Sequence, residues 1–167
     1  MRLIILTILP FLAIFLQSTF FNSLSMKGTV PDLMLLFVTF FALLSGPNRG
    51  TLYGILCGLL EDLYMGRVIG INALSKGLVA YIVGKLQGNV FKENILVGIM
   101  MAVMATLINA VLVLLIASVS IQVLSIDRSI LISVLYQTIY NSLIAIPVYV
   151  WYYKSSRNGW LKESRDL

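Results

Sequence analysis

Residues 94–126 read NILVGIMMAVMATLINAVLVLLIASVSIQVLSI, a run of 33 positions without a charged side chain. A helix needs about 20 apolar residues to cross a hydrocarbon core of about 30 Å, so this run is longer than one crossing requires. We expect a membrane-spanning helix over residues 95–118 and an exposed interfacial loop over residues 119–126. The run therefore predicts an integral membrane protein.

The composition of the whole chain supports this prediction. Of its 167 residues, 59% are hydrophobic and 11% are charged, and the mean hydropathy is +0.96. A soluble domain keeps about a quarter of its residues charged, so the composition excludes a soluble enzyme. We interpret the net charge of +5 as a result of membrane topology and contact with anionic lipid, and it gives no reason to predict binding to nucleic acid.

The remaining uncharged runs divide the chain into further spans. The runs near the two ends are long enough to cross a membrane, whereas three runs between them are shorter and partly polar. We expect the short helices to be enclosed by the long ones or to be re-entrant. If the third and fourth spans are re-entrant, four crossings remain, and this is the alternative count. The prediction is a single all-α transmembrane domain, residues 1–167, built as a bundle of six helices with short loops. The six spans cover residues 3–21, 30–44, 50–64, 69–83, 95–118 and 130–151.

Basic residues decide the orientation of these spans. With the N-terminus in the cytoplasm, eight lysines and arginines lie on the cytoplasmic side and three on the outer side, which agrees with the positive-inside rule. The C-terminus is then also cytoplasmic, and residues 154–167 form a basic tail. No small-x-small cleavage site follows the first apolar run, so we expect this run to be retained as a span.

The chain has no histidine and a single cysteine, Cys57. This composition removes Ser-His and Cys-His catalysis, histidine-containing zinc sites and disulfide frameworks within the chain. We therefore predict no catalytic residue, no cofactor and no metal site, and we assign Cys57 to packing.

Charged residues at membrane depth are the first group of candidate site residues. Glu61 and Asp62 lie near the end of the third span, and Lys76 lies in the middle of the fourth. Such charges are costly in hydrocarbon and need one another or water. Arg67, in the connection between these spans, competes with Lys76 as the partner of Asp62. Three roles remain possible for these charges: an internal ion pair, a ligand or proton site, or a contact with another membrane protein.

Polar side chains in the last two spans are the second group. Asn109 lies in the fifth span, and Ser133, Gln137 and Asn141 recur at every fourth position of the sixth, which places these three on one face of a helix. Such side chains commonly join membrane helices through hydrogen bonds. A groove for a partner helix is the alternative interpretation.

Glycines are the third group. Gly46, Gly50, Gly54 and Gly58 recur at every fourth position, a spacing that lets two helix backbones approach closely. This glycine face either packs within the chain or forms a homodimer.

The region from residue 30 to residue 81 contains a series of motifs in a characteristic order. They are Pro31-Asp32-Leu33-Met34-Leu35-Leu36, Pro47, Gly54, Gly58, Asp62-Leu63, Gly66, Gly70, Ala73-Leu74 and Ala80-Tyr81. In their order and spacing, these residues resemble the MreD rod shape-determining family of bacterial inner-membrane proteins. The length, the apolar first span and the short basic tail match as well, so the resemblance covers essentially the whole chain.

The resemblance implies a non-enzymatic subunit of the cell-elongation complex in the bacterial cytoplasmic (inner) membrane. It implies that the chain binds MreC and works with the MreB filament, the RodA glycosyltransferase and a class B penicillin-binding transpeptidase in peptidoglycan synthesis. We expect MreC to dock on the second and third spans, around residues 37–44 and 50–58. The stripe at Ser133, Gln137 and Asn141 is a weaker candidate for this docking face.

A second class of function fits the same pattern of short spans around a polar interior. The expected bundle also resembles the substrate-binding components of energy-coupling-factor vitamin transporters, so fold alone does not choose between the two functions. A vitamin binder needs a closed polar and aromatic pocket on the outer side, whereas an adaptor needs an exposed groove or an apolar face. A substrate-binding transporter subunit is therefore the alternative function.

Overall fold

The computed structural model describes residues 2–23, 25, 28–66, 68–90, 92–121 and 128–158, and these parts contain six α-helices. The helices are α1 Arg2–Leu16, α2 Leu33–Ser45, α3 Pro47–Met65, α4 Ile71–Lys85, α5 Ile95–Ile121 and α6 Arg128–Asn158. A π-helical segment, Gln17–Phe21, extends α1, and a 3-10 turn, Leu86–Gly88, follows α4. The prediction of an α-helical protein is confirmed.

Two short helices begin at residues other than those predicted. α2 begins three residues later than predicted, because the Asp32 side chain caps it by accepting a hydrogen bond from the amide of Leu35 (2.8 Å). α3 begins three residues earlier, with Pro47 in its first turn, where proline needs no partner for an amide hydrogen.

The two longest helices continue past their predicted spans. Residues 119–121, predicted as the start of an interfacial loop, continue α5, and residues 122–127 lie outside the described parts. Residues 154–158, predicted as the start of a tail, continue α6, and residues 159–167 lie outside the described parts. The helices continue because no proline or glycine interrupts either stretch.

Three helical segments are long and apolar enough to cross a membrane. They cover Ile4–Phe21, Ile95–Val119 and Arg128–Ser156. α2 is apolar but shorter, while α3 and α4 contain charged residues within their length. The chain is therefore an α-helical membrane protein in which long apolar helices pack with three shorter ones.

α2 lies at the centre of the bundle. Every residue from Leu33 to Leu43 is buried, and α2 contacts each of the other five helices. A helix that is apolar on all sides is expected to be enclosed in this way. The predicted docking face around residues 37–44 is therefore wrong, because residues 37–43 are already covered within the chain.

α3 and α4 form a hairpin in which the two backbones lie close together. A Cβ atom on Gly54 would stand 2.7 Å from the carbonyl oxygen of Lys76, and a Cβ atom on Gly58 would overlap the backbone of α4. Gly50 is equally close to α2. The glycine spacing therefore packs helices within this chain. The glycines are not available to a partner, whereas Leu52, Ile55 and Leu56 in the same predicted docking stretch, residues 50–58, are exposed.

The bundle has two ends of different character. At one end α2 and α4 finish and α3 and α5 begin, and the basic residues Arg49, Lys85, Lys92 and Lys154 lie near it. We call this the basic end. At the opposite end, which we call the far end, α3 turns into α4 and α5 finishes.

Candidate functional site

A lysine inside the bundle is the centre of the candidate site. Lys76, in α4, has no exposed side-chain surface, and its Nζ atom lies 3.0 Å from Oδ2 of Asp32 and 2.5 Å from Oε2 of Glu61. Asp32 caps α2 and Glu61 lies in α3, so three helices contribute one charged group each. We call Asp32, Glu61 and Lys76 the ion triad.

Burial makes the three members of the ion triad depend on one another. The side chains of Asp32 and Glu61 are 8% and 6% exposed. Removing charges from water is costly, and close pairing with good geometry is what offsets that cost. The triad therefore fixes α2, α3 and α4 against one another, because separating the helices would leave buried charges unpaired.

Of the two adjacent acids in α3, Glu61 pairs with Lys76 and Asp62 does not. Consecutive helical residues point about 100° apart, so neighbours in sequence face different surroundings. The predicted internal ion pair is confirmed for Glu61. Asp62 has a separate set of partners.

Asp62 joins the end of α3 to the start of α4. Its Oδ2 atom accepts hydrogen bonds from the amides of Gly70 (2.8 Å) and Ala73 (3.2 Å), and its Oδ1 atom accepts from the amide and side-chain nitrogens of Asn72 (3.1 and 2.8 Å). The first amides of a helix have no partner within it, so a carboxylate here stabilises the helix start. The partners of Asp62 are thus mainly backbone amides of the connection, and Arg67, one of its two predicted partners, lies outside the described residues.

Two glycines allow the chain to reverse direction beside Asp62. Gly66 ends α3 with φ +61°, and Gly70 precedes α4 with φ +109°. Both values lie in the left-handed region, which residues with a Cβ atom rarely adopt. These two glycines therefore give the connection the shape that brings the amides of α4 to the Asp62 carboxylate.

A polar side chain of α6 connects the ion triad to α5. Asn141 is fully buried; its Oδ1 atom accepts a hydrogen bond from the amide of Asp32 (2.8 Å), and its Nδ2 atom donates to Oγ1 of Thr106 (2.9 Å). The Thr106 hydroxyl donates in turn to the carbonyl oxygen of Ala102 (2.7 Å). The predicted role of Asn141 in joining helices is confirmed.

The other members of the predicted polar stripe are not part of this network. Ser133 and Gln137 are half-buried and lie on α6 between Asn141 and the far end. Asn109, in α5, is 7% exposed, and its Oδ1 atom has no hydrogen-bond partner among the residues that the structure describes. The four residues therefore divide into one paired amide and a separate group nearer the far end.

Sequence reasoning missed three contributions to the site. It assigned no charge partner to Asp32 and no role to Asn72 or Thr106. An aspartate directly before an apolar run is the pattern of a helix cap, but the pattern does not indicate that its second oxygen faces α4. Pro31, the other motif residue singled out here, is buried, and its carbonyl oxygen accepts a hydrogen bond from the side chain of Gln17 (3.2 Å).

The chemistry available at this site is that of helix association. The ion triad, Asp62 and Asn141 all have partners within the chain, so their polar groups are already engaged. Within the described ranges, no group of three or more histidine, cysteine, aspartate or glutamate side chains could hold a metal ion.

The basic end has its own polar contacts. The Tyr149 hydroxyl donates to the carbonyl oxygen of Lys92 (2.8 Å), which ties α6 to the segment before α5. Burial lowers the pKa of Lys92, because desolvation disfavours the charged ammonium. The ammonium of Lys85 lies 4.7 Å from the ring centroid of Tyr81, a distance at which a cation is attracted to the ring.

Long apolar helices around a buried and internally paired polar network define an α-helical membrane protein with a structural polar centre. The chain belongs to the MreD family, because residues 1–158 match the family described as rod shape-determining protein MreD. Searches of curated proteins and of solved structures found no match. The resemblance drawn from the sequence is confirmed, and the chain is a rod shape-determining membrane protein.

Proposed function

We propose that the chain is a non-enzymatic subunit of the bacterial cell-elongation complex, in which it binds MreC and helps to regulate peptidoglycan synthesis. In this proposal it crosses the cytoplasmic membrane six times and has both termini in the cytoplasm. MreB, RodA and a class B penicillin-binding transpeptidase are the other members of the complex. Membership of the MreD family over residues 1–158 supports the role in cell shape.

The observation that carries this proposal is the internal pairing of the polar centre. The ion triad and Asn141 are bonded within the chain, so the most polar part of the bundle serves helix packing. The surface that remains is apolar, with large exposed side chains on α1, α3, α4, α5 and α6. Such a surface can pack against lipid and against the helices of other membrane proteins.

Copurification tests the proposal. The affinity-tagged chain, produced together with MreC and extracted in a mild detergent, is expected to retain MreC through size-exclusion chromatography. An unrelated tagged membrane protein of similar size is the control for nonspecific retention. A folded chain that elutes without MreC would contradict the proposal, and a vitamin-type molecule in its mass spectrum would favour the transporter-subunit alternative.

A further inference from the structure

Two lysines lie at the basic end, where α5 begins and α6 ends. Lys92 lies three residues before α5, and Lys154 lies four residues before the end of α6. The Tyr149 hydroxyl donates to the carbonyl oxygen of Lys92 (2.8 Å), and a Cβ atom on Gly98 would overlap the Tyr149 ring. These contacts hold the start of α5 against the last turns of α6. We call Lys92 and Lys154 the lysine pair.

Neither ammonium of the lysine pair forms a salt bridge with a carboxylate of the described residues. Glu93, the neighbour of Lys92 in sequence, is exposed and forms no salt bridge with it. Lys85, at the same end of the bundle, differs from the pair, because its ammonium lies over the Tyr81 ring. The lysine pair therefore presents two positive charges that no described carboxylate balances.

Lys92 is the member of the pair at which a bound anion has the larger effect. Its side chain is half-buried, and desolvation lowers the pKa of its ammonium. An opposite charge within about 4–6 Å favours the charged form of such a group. The attraction is also stronger at a partly desolvated position than in bulk water. Lys92 is therefore better placed to bind an anion than a fully exposed lysine.

Both lysines lie at the level expected for lipid headgroups. The apolar segments Ile95–Val119 and Arg128–Ser156 are long enough to cross a membrane, so Lys92 lies three residues before one segment and Lys154 two residues before the end of the other. Trp151, about one helical turn before Lys154, is 48% exposed. Exposed tryptophan is typical of the boundary between lipid tails and water. This level favours a phospholipid over an acidic segment of a soluble protein as the source of the anion.

We propose that the lysine pair binds the phosphate of an anionic phospholipid in the leaflet at the basic end. Lys92 is the main contact and Lys154 the second. Basic residues between membrane helices are a recurring setting for anionic headgroups. The inference does not rest on the proposed function, because binding of a lipid at this place needs no partner protein.

Native mass spectrometry of the purified chain in detergent tests the inference. Phosphatidylglycerol and phosphatidylcholine with the same tails are added in equal amounts, and the bound lipids are counted. The wild-type chain is expected to prefer phosphatidylglycerol. One lysine near an anionic headgroup contributes about fivefold in affinity, so Lys92→Gln is expected to lower the preference by about this factor. Adding Lys154→Gln is expected to lower it further.

Lys85→Gln is the matched control. It removes the same charge from the same end of the bundle, but from a lysine on α4 whose ammonium contacts a ring, so the preference is expected to persist. Equal loss in Lys92→Gln and Lys85→Gln would show a general effect of positive charge and would overturn the inference. Equal binding of the two lipids by the wild-type chain would also overturn it. In that case, binding of a poly-glutamate peptide that is lost in Lys92→Gln would assign the pair to an acidic protein segment.

The Tm of each variant without added lipid shows whether it folds. If Lys92→Gln does not fold, the wild-type chain and Lys154→Gln decide the inference, because a ligand that binds the folded state raises the Tm. Phosphatidylglycerol must then raise the Tm of the wild type more than phosphatidylcholine does, and raise it less in Lys154→Gln. An equal rise with both lipids, or in both proteins, overturns the inference. Loss of MreC retention with this lipid preference intact would contradict the proposed function alone.

Discussion

Lys76 lies inside the bundle, where its ammonium is enclosed by the carboxylates of Asp32 and Glu61. Replacing the lysine leaves two buried negative charges without a cation, and breaking a buried ion pair in this way costs about 3–5 kcal/mol. Lys76→Met is therefore expected to lower the free energy of unfolding by about this amount. Denaturant unfolding in detergent measures the change.

Lys85→Met is the matched control for this substitution. Lys85 lies in the last turn of the same helix and is exposed, and a surface substitution changes stability by about 0.5 kcal/mol or less. Equal stabilities of the Lys76→Met and Lys85→Met variants would contradict the structural role of the ion triad.

Asp62 offers a second prediction at the scale of one residue. Asp62→Ala leaves the donors at the start of α4 without their acceptor, and each unsatisfied buried donor costs about 1–3 kcal/mol. We expect a lower folded yield and a lower Tm. Asp62→Asn keeps one acceptor oxygen and is expected to fall between Asp62→Ala and the wild type.

The measurement for Asp62 is the yield of monodisperse protein and its Tm for both variants. Normal yield and Tm of Asp62→Ala with lost retention of MreC would indicate a direct contact with the partner instead. Unchanged yield, Tm and retention would remove Asp62 from the site.

At the scale of the element, the α3–α4 hairpin depends on the absence of a side chain at Gly54. The Cβ atom of Gly54→Ala would stand 2.7 Å from the carbonyl oxygen of Lys76, and backbone does not move aside as a flexible side chain can. Overpacking of this kind costs about 1–3 kcal/mol, so the Tm is expected to fall. Gly88→Ala is the control, because nothing lies within 4 Å of its Cβ position. A Tm of Gly54→Ala equal to that of Gly88→Ala would contradict the close packing.

The helices differ in how far sequence could predict them. α5 and α6 follow from long apolar runs, because a run of this length satisfies its backbone hydrogen bonds within one helix whatever surrounds it. The fully buried position of α2 could not be predicted from its length, since a short apolar run fits an enclosed helix and a re-entrant one equally well. α5 and α6 continue past the predicted spans, because polar residues alone do not end a helix.

Sequence also predicts only part of the candidate site, because some of its contacts depend on how distant helices pack. The glycine spacing predicted close packing of helices, but it could not choose between packing within the chain and a homodimer. The pairing of Lys76 with Glu61 was one of the predicted alternatives. The participation of Asp32 could not be predicted, because it depends on how α2 and α4 meet and not on any spacing in the sequence.

At the scale of the whole molecule, the positive-inside rule predicts on which side of the membrane each segment lies. The proposed six crossings place the C-terminus after Leu167 in the cytoplasm and residues 122–127, between α5 and α6, outside it. Fusions of a fluorescent protein and of alkaline phosphatase at these two places are expected to be active on opposite sides. Activity of the same reporter at both places would contradict this topology.

The side chains of the bundle are more deeply buried at one end than at the other. The basic end is closed around α2 and the ion triad, whereas no described side chain of residues 110–119 in α5 or 128–140 in α6 is fully buried. The closed half gives the chain a stable core of its own.

The central claim, that this chain determines rod shape through its helix surfaces, is tested most directly by microscopy of a rod-shaped bacterium depleted of its own MreD. Producing the wild-type chain from a plasmid is expected to restore rods of constant width. Round cells with the wild-type chain present in the membrane, folded and at the native level, would contradict the account.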